Sequence, residues 1–498
     1  MRRCRVGVAL AAASLLVARA AHAEAGRDRV GAAGYLRVAT RPDFQGGGGQ
    51  LGYWNLYGRL LNEGPYAALE LKLDLLQQQA DSDQPWTTLH ARVEGGSVGG
   101  ADPSNGSLDK FRLSQLFVQA GNLLVKNLVW QFGTLYDYWG DLGLYDMRPA
   151  QLFLNTVGAS ARYRTKVVDL LVGLGDSGYG LRGSQYDTIF TAGGSLKLHL
   201  SDHFELGFGG EFMYEPSVVG NRYAPYATPD VSYADYVRGE VVKNYLEAHP
   251  FDGAFFPKPE PRSSKFGKLV GYLGFGGLGP LEWDSCYVHF KRFAPDQSTT
   301  EGYGGQSYTI YTHDLTDDRY ELLAGNEARF KVVPDRVDVA WGLLYGKDWD
   351  TDNTVAPSDH NRVYASTVVR VETYITDTLH FLVEGSAAYE ESTNGNAYRD
   401  HADSIFYNVA GESDPRGLEY GDSNVRLTQQ LKIGPVFSPL GTGLYTRPSL
   451  RLLYGVQHST QNNAFGNSFV TTLDENNTFQ TVERHWHHVI ALEAEAWF

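Results

Sequence analysis

From residue 33 to its last residue the sequence keeps returning to one pattern, about ten residues of strict apolar and polar alternation followed by a break. Alternation of period two marks a strand with one apolar and one polar face. Eighteen such segments can be drawn, at 33–42, 66–78, 86–96, 110–121, 127–137, 156–165, 168–178, 189–200, 203–216, 266–277, 281–294, 318–332, 337–347, 361–376, 379–391, 425–436, 448–459 and 487–498. The connections constrain the fold further, because they alternate in length. "SDH" (201–203), "LGP" (278–280), "VPDR" (333–336) and "TDT" (376–378) are short and rich in turn residues, whereas 217–265, 295–317, 348–360, 392–424 and 460–486 are long. Short turns at one rim and long loops at the other are the habit of a transmembrane barrel. A sandwich or a propeller has no reason to sort its loops in this way.

The faces of single strands agree. In "YAALELKLDLL" the residues Leu69, Leu71, Leu73 and Leu75 share one face, and Ala68, Glu70, Lys72 and Asp74 share the other. In "RPSLRLLYGVQ" Leu450, Leu452 and Tyr454 oppose Ser449, Arg451 and Leu453. One side suits hydrocarbon and the other suits water. The expected fold class is therefore all-β, a transmembrane antiparallel β-barrel of about 18 strands, with a third loop (138–156) folded inward. Eighteen tilted strands enclose a lumen too wide for side chains alone to fill. The loop "YWGDLGLYDMRPAQLFLNT", with its aromatics and Asp141, Asp146 and Arg148, is the segment best composed to narrow it.

Composition enters to fix the compartment. "MRRCRVGVALAAASLLVARAAHA" reads as a secretory signal peptide over 1–23, with an Arg-rich start, an apolar stretch and an Ala-His-Ala site; 24–498 is then one barrel domain. Its apolar run is shorter than the roughly 20 residues that a spanning helix needs. Loss of its four arginines takes the formal charge from −15 to −19, an acidic balance that argues against nucleic acid as a partner. Cys4 leaves with the signal, so Cys286 stands alone and no intrachain disulfide can form. A chain with 56 Gly, 31 Tyr, 24 Phe and 9 Trp, exported yet without an 18-residue apolar run, fits a barrel of the Gram-negative outer membrane with a polar lumen. Outer-membrane lipid is its expected surround.

Six stretches then carry a family resemblance. "GYLR" (34–37), "ALELKL" (68–73), "FRLSQLFVQAGNLL" (111–124), "QFGTLYDYWGDLGLYD" (131–146), "YTRPSLRLLYGV" (445–456) and "AEAWF" (494–498) resemble, in order, segments of the maltoporin family, sugar-selective porins of Gram-negative outer membranes. The resemblance implies a homotrimer whose sugar or oligosaccharide substrates diffuse down a helical path of aromatic rings. A pyranose presents an apolar C–H face to a ring, while its hydroxyls meet charged groups across the constriction. Several weak sites in series allow entry and exit. On this resemblance Tyr35, Tyr445, Trp497 and Trp283 are the aromatic candidates, and Arg37, Glu70, Arg112, Asp141, Asp146 and Arg148 the polar ones. Strand parity agrees independently for Trp497, which falls with Glu493 and Glu495, and for Tyr35, which falls with Arg37. The sequence departs from the family at Ala68, where a slide Tyr is replaced, at Arg148, which falls near a third-loop Tyr, and at 97–109, which lacks a Trp.

Other classes leave weaker marks. A general porin, or a channel or exporter for acidic polysaccharide, would share the barrel, the latter with a strongly cationic lumen. A secreted all-β carbohydrate enzyme would need a catalytic set, and no Ser, His and Asp stand in a nucleophile-elbow context. "RHWHH" (484–488) reads as rim histidines and "GFGGLG" (274–279) lacks the Lys and helix of a phosphate loop, so neither a metal nor a cofactor is expected.

Overall fold

The computed structural model describes residues 29–42, 51, 55–77, 83–96, 111–177, 188–215, 264–292, 298–303, 306–311, 319–350, 362–392, 425–460 and 485–498. The expected signal peptide and the Tyr-rich stretch 223–245 lie outside the described residues. Strands β1 (Val30–Thr40), β2 (Tyr66–Leu76), β3 (Trp86–Gly96), β4 (Phe111–Gly121), β5 (Leu128–Tyr138), β6 (Gln151–Arg164), β7 (Val168–Asp176), β8 (Phe190–Ser201) and β9 (Phe204–Glu215) form the first half of the sheet. Strands β10 (Ser264–Leu278), β11 (Leu281–Arg292), β14 (Arg319–Val333), β15 (Val337–Asp350), β16 (Arg362–Tyr374), β17 (Leu379–Ser392), β18 (Val425–Phe437), β19 (Ser449–Ser459) and β20 (Trp486–Trp497) form the second. A separate hairpin, β12 (Ser298–Tyr303) with β13 (Gln306–Tyr311), sits in the long connection after β11.

Each of the eighteen expected segments overlaps one strand of a single 18-stranded antiparallel sheet. The largest boundary difference is β6, which begins at Gln151 rather than near 156. Phe153 and Asn155 both take φ of 58° there, an irregular entry that alternation does not signal. The sheet closes because β1 pairs with β2 on one side and β20 on the other, so that Tyr35 faces both Ala68 and Trp497. Gly34 and Phe498 seal the seam with backbone hydrogen bonds of 2.9 and 3.1 Å in the two directions.

Closure leaves the 18-stranded sheet without an edge, which is what permits strands to cross hydrocarbon with their backbone groups paired. Leu69, Leu71 and Leu73 on β2, Leu170, Val172 and Leu174 on β7, and Ile490 and Leu492 on β20 all stand exposed on the outer face. Their neighbours along each strand point inward and are mostly polar, as in β18, where Arg426, Thr428, Gln430 and Lys432 are buried while Leu427 and Leu431 are exposed. An apolar outer belt on a closed barrel with short turns at one rim makes the chain a multi-pass barrel of the Gram-negative outer-membrane type.

The lumen contains chain. The connection after β5 does fold inward, as its composition suggested, and Trp139, Leu142, Leu144, Tyr145, Ala150 and Leu152 are buried. Two further segments join it: residues 51 and 55–64 between β1 and β2, with a short 3-10 turn at Asn55–Tyr57, and the turn between β18 and β19. Leu56 and Tyr57 pack with Leu142, Leu144 and Tyr145 against Ala340 and Val368 of the wall. Leu51, Leu60 and Leu61 form a second apolar cluster on Leu382, Val436, Leu453 and Val489. Each fully buried large side chain of this kind contributes about 1.5–3 kcal/mol, so the inserted chain is held by a core of its own. Wall glycines make room for it. A Cβ at Gly342 would lie 2.7 Å from Cε2 of Tyr145, and one at Gly207 would enter the ring of Trp139.

Candidate functional site

The inserts divide the lumen into a packed side and an open side. On β16–β18 the inward charges are sealed: Arg370, Glu384, Arg426, Glu390 and Lys432 are at most 1% exposed. Glu384 takes Arg370 Nη2 at 2.6 Å and Lys432 Nζ at 2.8 Å, and Glu390 takes Arg426 Nη2 at 2.7 Å. The first insert completes these groups. Lys432 donates to the Tyr57 carbonyl at 2.9 Å, Tyr57 donates its hydroxyl to Glu390 at 2.5 Å, and Asn62 donates to Gln430 at 3.0 Å. On another part of the wall the inward charges of β2–β4 stay wet. The side chains of Lys72, Glu70 and Arg112 are 48, 53 and 72% exposed.

At the short-turn rim a cluster of arginines and carboxylates lies against aromatic rings. Tyr35 donates to Glu495 at 2.7 Å, and its ring lies 5.7 Å from Tyr66 and 6.4 Å from Trp497. Glu495 also receives Arg59, Arg447 at 2.7 Å and Arg451 at 2.8 Å. Arg37 pairs with Glu63 of the first insert, and Arg41 reaches Glu493 at 2.7 Å. The Arg447 guanidinium lies 5.8 Å from the Trp497 ring, and burial together with Arg451 pushes it down to about 9. Trp497 itself is 53% exposed, so one face of the ring remains available.

Of the expected aromatic residues, the structure brings Tyr35 and Trp497 together and adds Tyr66. Tyr445 and Trp283 stand elsewhere. Tyr445 reaches inward from the β18–β19 turn, donates to Glu327 at 2.8 Å, and has Arg370 at 5.9 Å from its ring. Burial, then Glu327, pushes its hydroxyl pKa well up. Trp283 on β11 lies against Gly274 and Gly276. Among the polar candidates, Glu70 pairs with Arg92 at 3.0 Å and Arg112 with Glu94 at 3.3 Å, both on the open side. Asp146 of the third insert lies beside Glu63 of the first, and the amide of Arg59 donates to the Leu144 carbonyl at 2.8 Å, so the first and third inserts are tied to each other. Asp141 is exposed as a residue, yet burial of its carboxyl raises its pKa against the pull of Arg148. Arg148 donates to the Tyr136 hydroxyl and stacks on Tyr138 at 4.8 Å.

Sequence reasoning missed the first insert and the lumen glutamines. The insert's signal was present: "LGYWNLYGRLLNEG" (51–64) is more apolar than a loop in water needs to be. Gln115, Gln119 and Gln131 all face the open side beside β5 and β6.

No protein-family model matches this sequence, and no curated protein sequence matches it. Among solved structures, the outer membrane protein OprD from Pseudomonas aeruginosa aligns over 96% of this chain and 95% of its own, with 10% identity and a TM-score of 0.41. OccAB1 of Acinetobacter baumannii aligns over 94 and 96%, with 7% identity and a TM-score of 0.41. Wzi, a carbohydrate-binding β-barrel involved in group 1 capsule assembly in Escherichia coli, aligns over 93 and 84%, with 11% identity and a TM-score of 0.39. None of these three is a maltoporin, and likeness at this level says nothing of what passes through the lumen.

Proposed function

We propose that the protein is a porin-type channel through which small hydrophilic solutes, sugars above all, diffuse down their gradient along the β2–β5 side of the lumen. The observation that carries this reading is the wet row of inward charges at Glu70, Lys72 and Arg112, set against the dry, covered charges of β16–β18. Conduction needs a lining that replaces hydration without holding the solute long, and exposed charge pairs beside aromatic rings meet that need. Tyr35 and the half-open face of Trp497, with Arg447 above it, supply the pairing of ring and cation that a pyranose uses. Selectivity for maltodextrin-like oligosaccharides, and assembly as a homotrimer, follow from the sequence resemblance and belong to this proposal. In this reading the protein is no enzyme and uses no cofactor.

A channel for acidic polysaccharide fits less well. It requires unpaired cations along the path, whereas Arg37, Arg59, Arg92, Arg370, Arg426 and Arg451 each have a carboxylate partner. Reconstitution into a planar bilayer, followed by glucose, maltose and longer maltodextrins, tests the proposal. Stepwise conductance with current interrupted by sugar is the expected result. Absence of conductance would sink the channel, and a current indifferent to every sugar would reduce it to a general porin.

A further inference from the structure

We infer that a side pocket of the open half, between β4, β5 and β6, is a binding site for a neutral polyhydroxylated ring, in effect one pyranose unit. The pocket has a volume of about 160 Å³ and is lined by Gln115, Gln119, Gln131, Phe117, Asp137 and Arg162, among others. Where one water needs roughly 10–15 Å³ on this measure, it holds on the order of ten waters, ample for a sugar ring to displace. None of Tyr35, Tyr445, Trp497 or Trp283 borders it, so it is separate from the aromatic candidates at the rim.

Its charges cancel within the wall. Arg162 clasps Asp169 through two hydrogen bonds of 2.7 Å and donates from Nη1 to Asp137 Oδ1 at 2.9 Å, and Arg164 donates from Nε to Asp169 at 3.0 Å, so two arginines balance two carboxylates. With the guanidinium spent on carboxylates, an anionic ligand gains no free cation there. What remains open is hydrogen-bonding capacity. Asp137 is 9% exposed, and its second oxygen, Oδ2, is buried with no hydrogen-bond partner. A buried acceptor left unpaired is costly, and a ligand hydroxyl would remove that cost. Gln119 and Gln131 are fixed to each other at 3.0 Å, with Gln131 also donating to the Thr134 carbonyl at 2.8 Å. Gln115 has no side-chain hydrogen bond among the described residues, so both ends of its amide are available. The apolar side is present too. Phe117 lines the pocket and is stacked on His90 at 4.7 Å, with 10° between the planes, so His90 covers only one of its faces.

The site is stocked to meet hydroxyls with an acceptor and an amide, and C–H groups with a ring, while offering no net charge. This inference rests on the channel reading only in that the ligand reaches the pocket through the lumen. Binding can be measured without conduction, so the two fail separately.

The test uses the full mature protein folded in detergent, with ligand-observed saturation-transfer NMR and titration of glucose, galactose and glucuronate. The expected result is binding of the neutral sugars, with glucuronate weaker. Asp137→Asn, which turns the orphan acceptor into an amide and leaves Arg162 paired with Asp169, should weaken binding about tenfold, as loss of a hydrogen bond to a charged group does. Gln115→Ala touches no internal hydrogen bond and guards against a fold defect in the first variant; it should weaken binding severalfold with the heat-modifiable migration of the barrel unchanged. The inference is overturned if neither neutral sugar binds, if glucuronate binds as well as or better than glucose, or if folded Gln115→Ala and Asp137→Asn both bind glucose as the parent does. Conductance in the bilayer with no such binding would remove this pocket and leave the channel standing.

Discussion

The two sides of the lumen are made from the same inward parity of the same kind of strand, yet one is dry and the other wet. On β16–β18 Arg370, Glu384, Arg426 and Lys432 are sealed under the first insert, while on β2 Glu70 and Lys72 carry comparable charge in the open. The difference comes from what lies over them, because residues 51, 55–64 and 139–150 bring their own apolar side chains into the barrel and cover only part of the wall. A charge's cost and worth are thus set by its cover. The sealed pairs have lost their water and depend on each other, and the exposed ones are screened and cheap to change.

The sharpest way to break the comparison is Glu384→Ala. It strands Arg370 and Lys432 in a dry site, and removal of one partner of a buried pair should destabilise by about 3–5 kcal/mol, read as a lower urea midpoint for loss of heat-modifiable migration. Next is Gly342→Leu, which drives a side chain into Tyr145. Overpacking of this kind costs about 1–3 kcal/mol. It should also lift the third insert off the wall and raise single-channel conductance, whereas an unchanged conductance would mean that this insert does not narrow the path. Trp497→Ala removes a ring with a cation beside it, worth about 1 kcal/mol or roughly fivefold in affinity. Block by maltodextrin should weaken by that factor with the sugar-free current unaltered. The smallest effect belongs to Glu70→Ala, whose partner Arg92 retains Glu94 at 3.1 Å. Its urea midpoint should move by no more than the equivalent of about 0.5 kcal/mol, and a loss as large as that of Glu384→Ala would erase the distinction between the two sides.

The barrel itself was legible because its signal is redundant. Alternation repeats eighteen times, loop lengths alternate with it, and a slip of one residue would turn every face inside out. The third insert was also legible, since a loop with Trp139, Leu142, Leu144 and Tyr145 has to bury them somewhere. The first insert carried the same kind of signal in Leu51, Leu56, Leu60 and Leu61, but its two apolar clusters depend on wall residues hundreds of positions away, such as Val368 and Leu453. Pairings like Lys432 with Glu384, or Arg59 with Glu495, are set by distant register and by an insert's path, which no local spacing records. The side pocket was hidden for a related reason. Register shifts at Arg92/Val93 and at Leu135/Asp137 turn Gln115 and Tyr136 toward the lumen, and strict alternation would have misassigned them.

The account's central claim is that solutes pass along the open wall and not the packed one. Single-channel recording of Lys72→Cys and Gln430→Cys, each in a Cys286→Ser background, before and after addition of a bulky charged thiol reagent, tests it most directly. The predicted result is a stepwise fall in current for Lys72→Cys and none for Gln430→Cys, which lies buried beneath Asn62. A channel whose current is cut by modification at Gln430→Cys and left untouched at Lys72→Cys would contradict it.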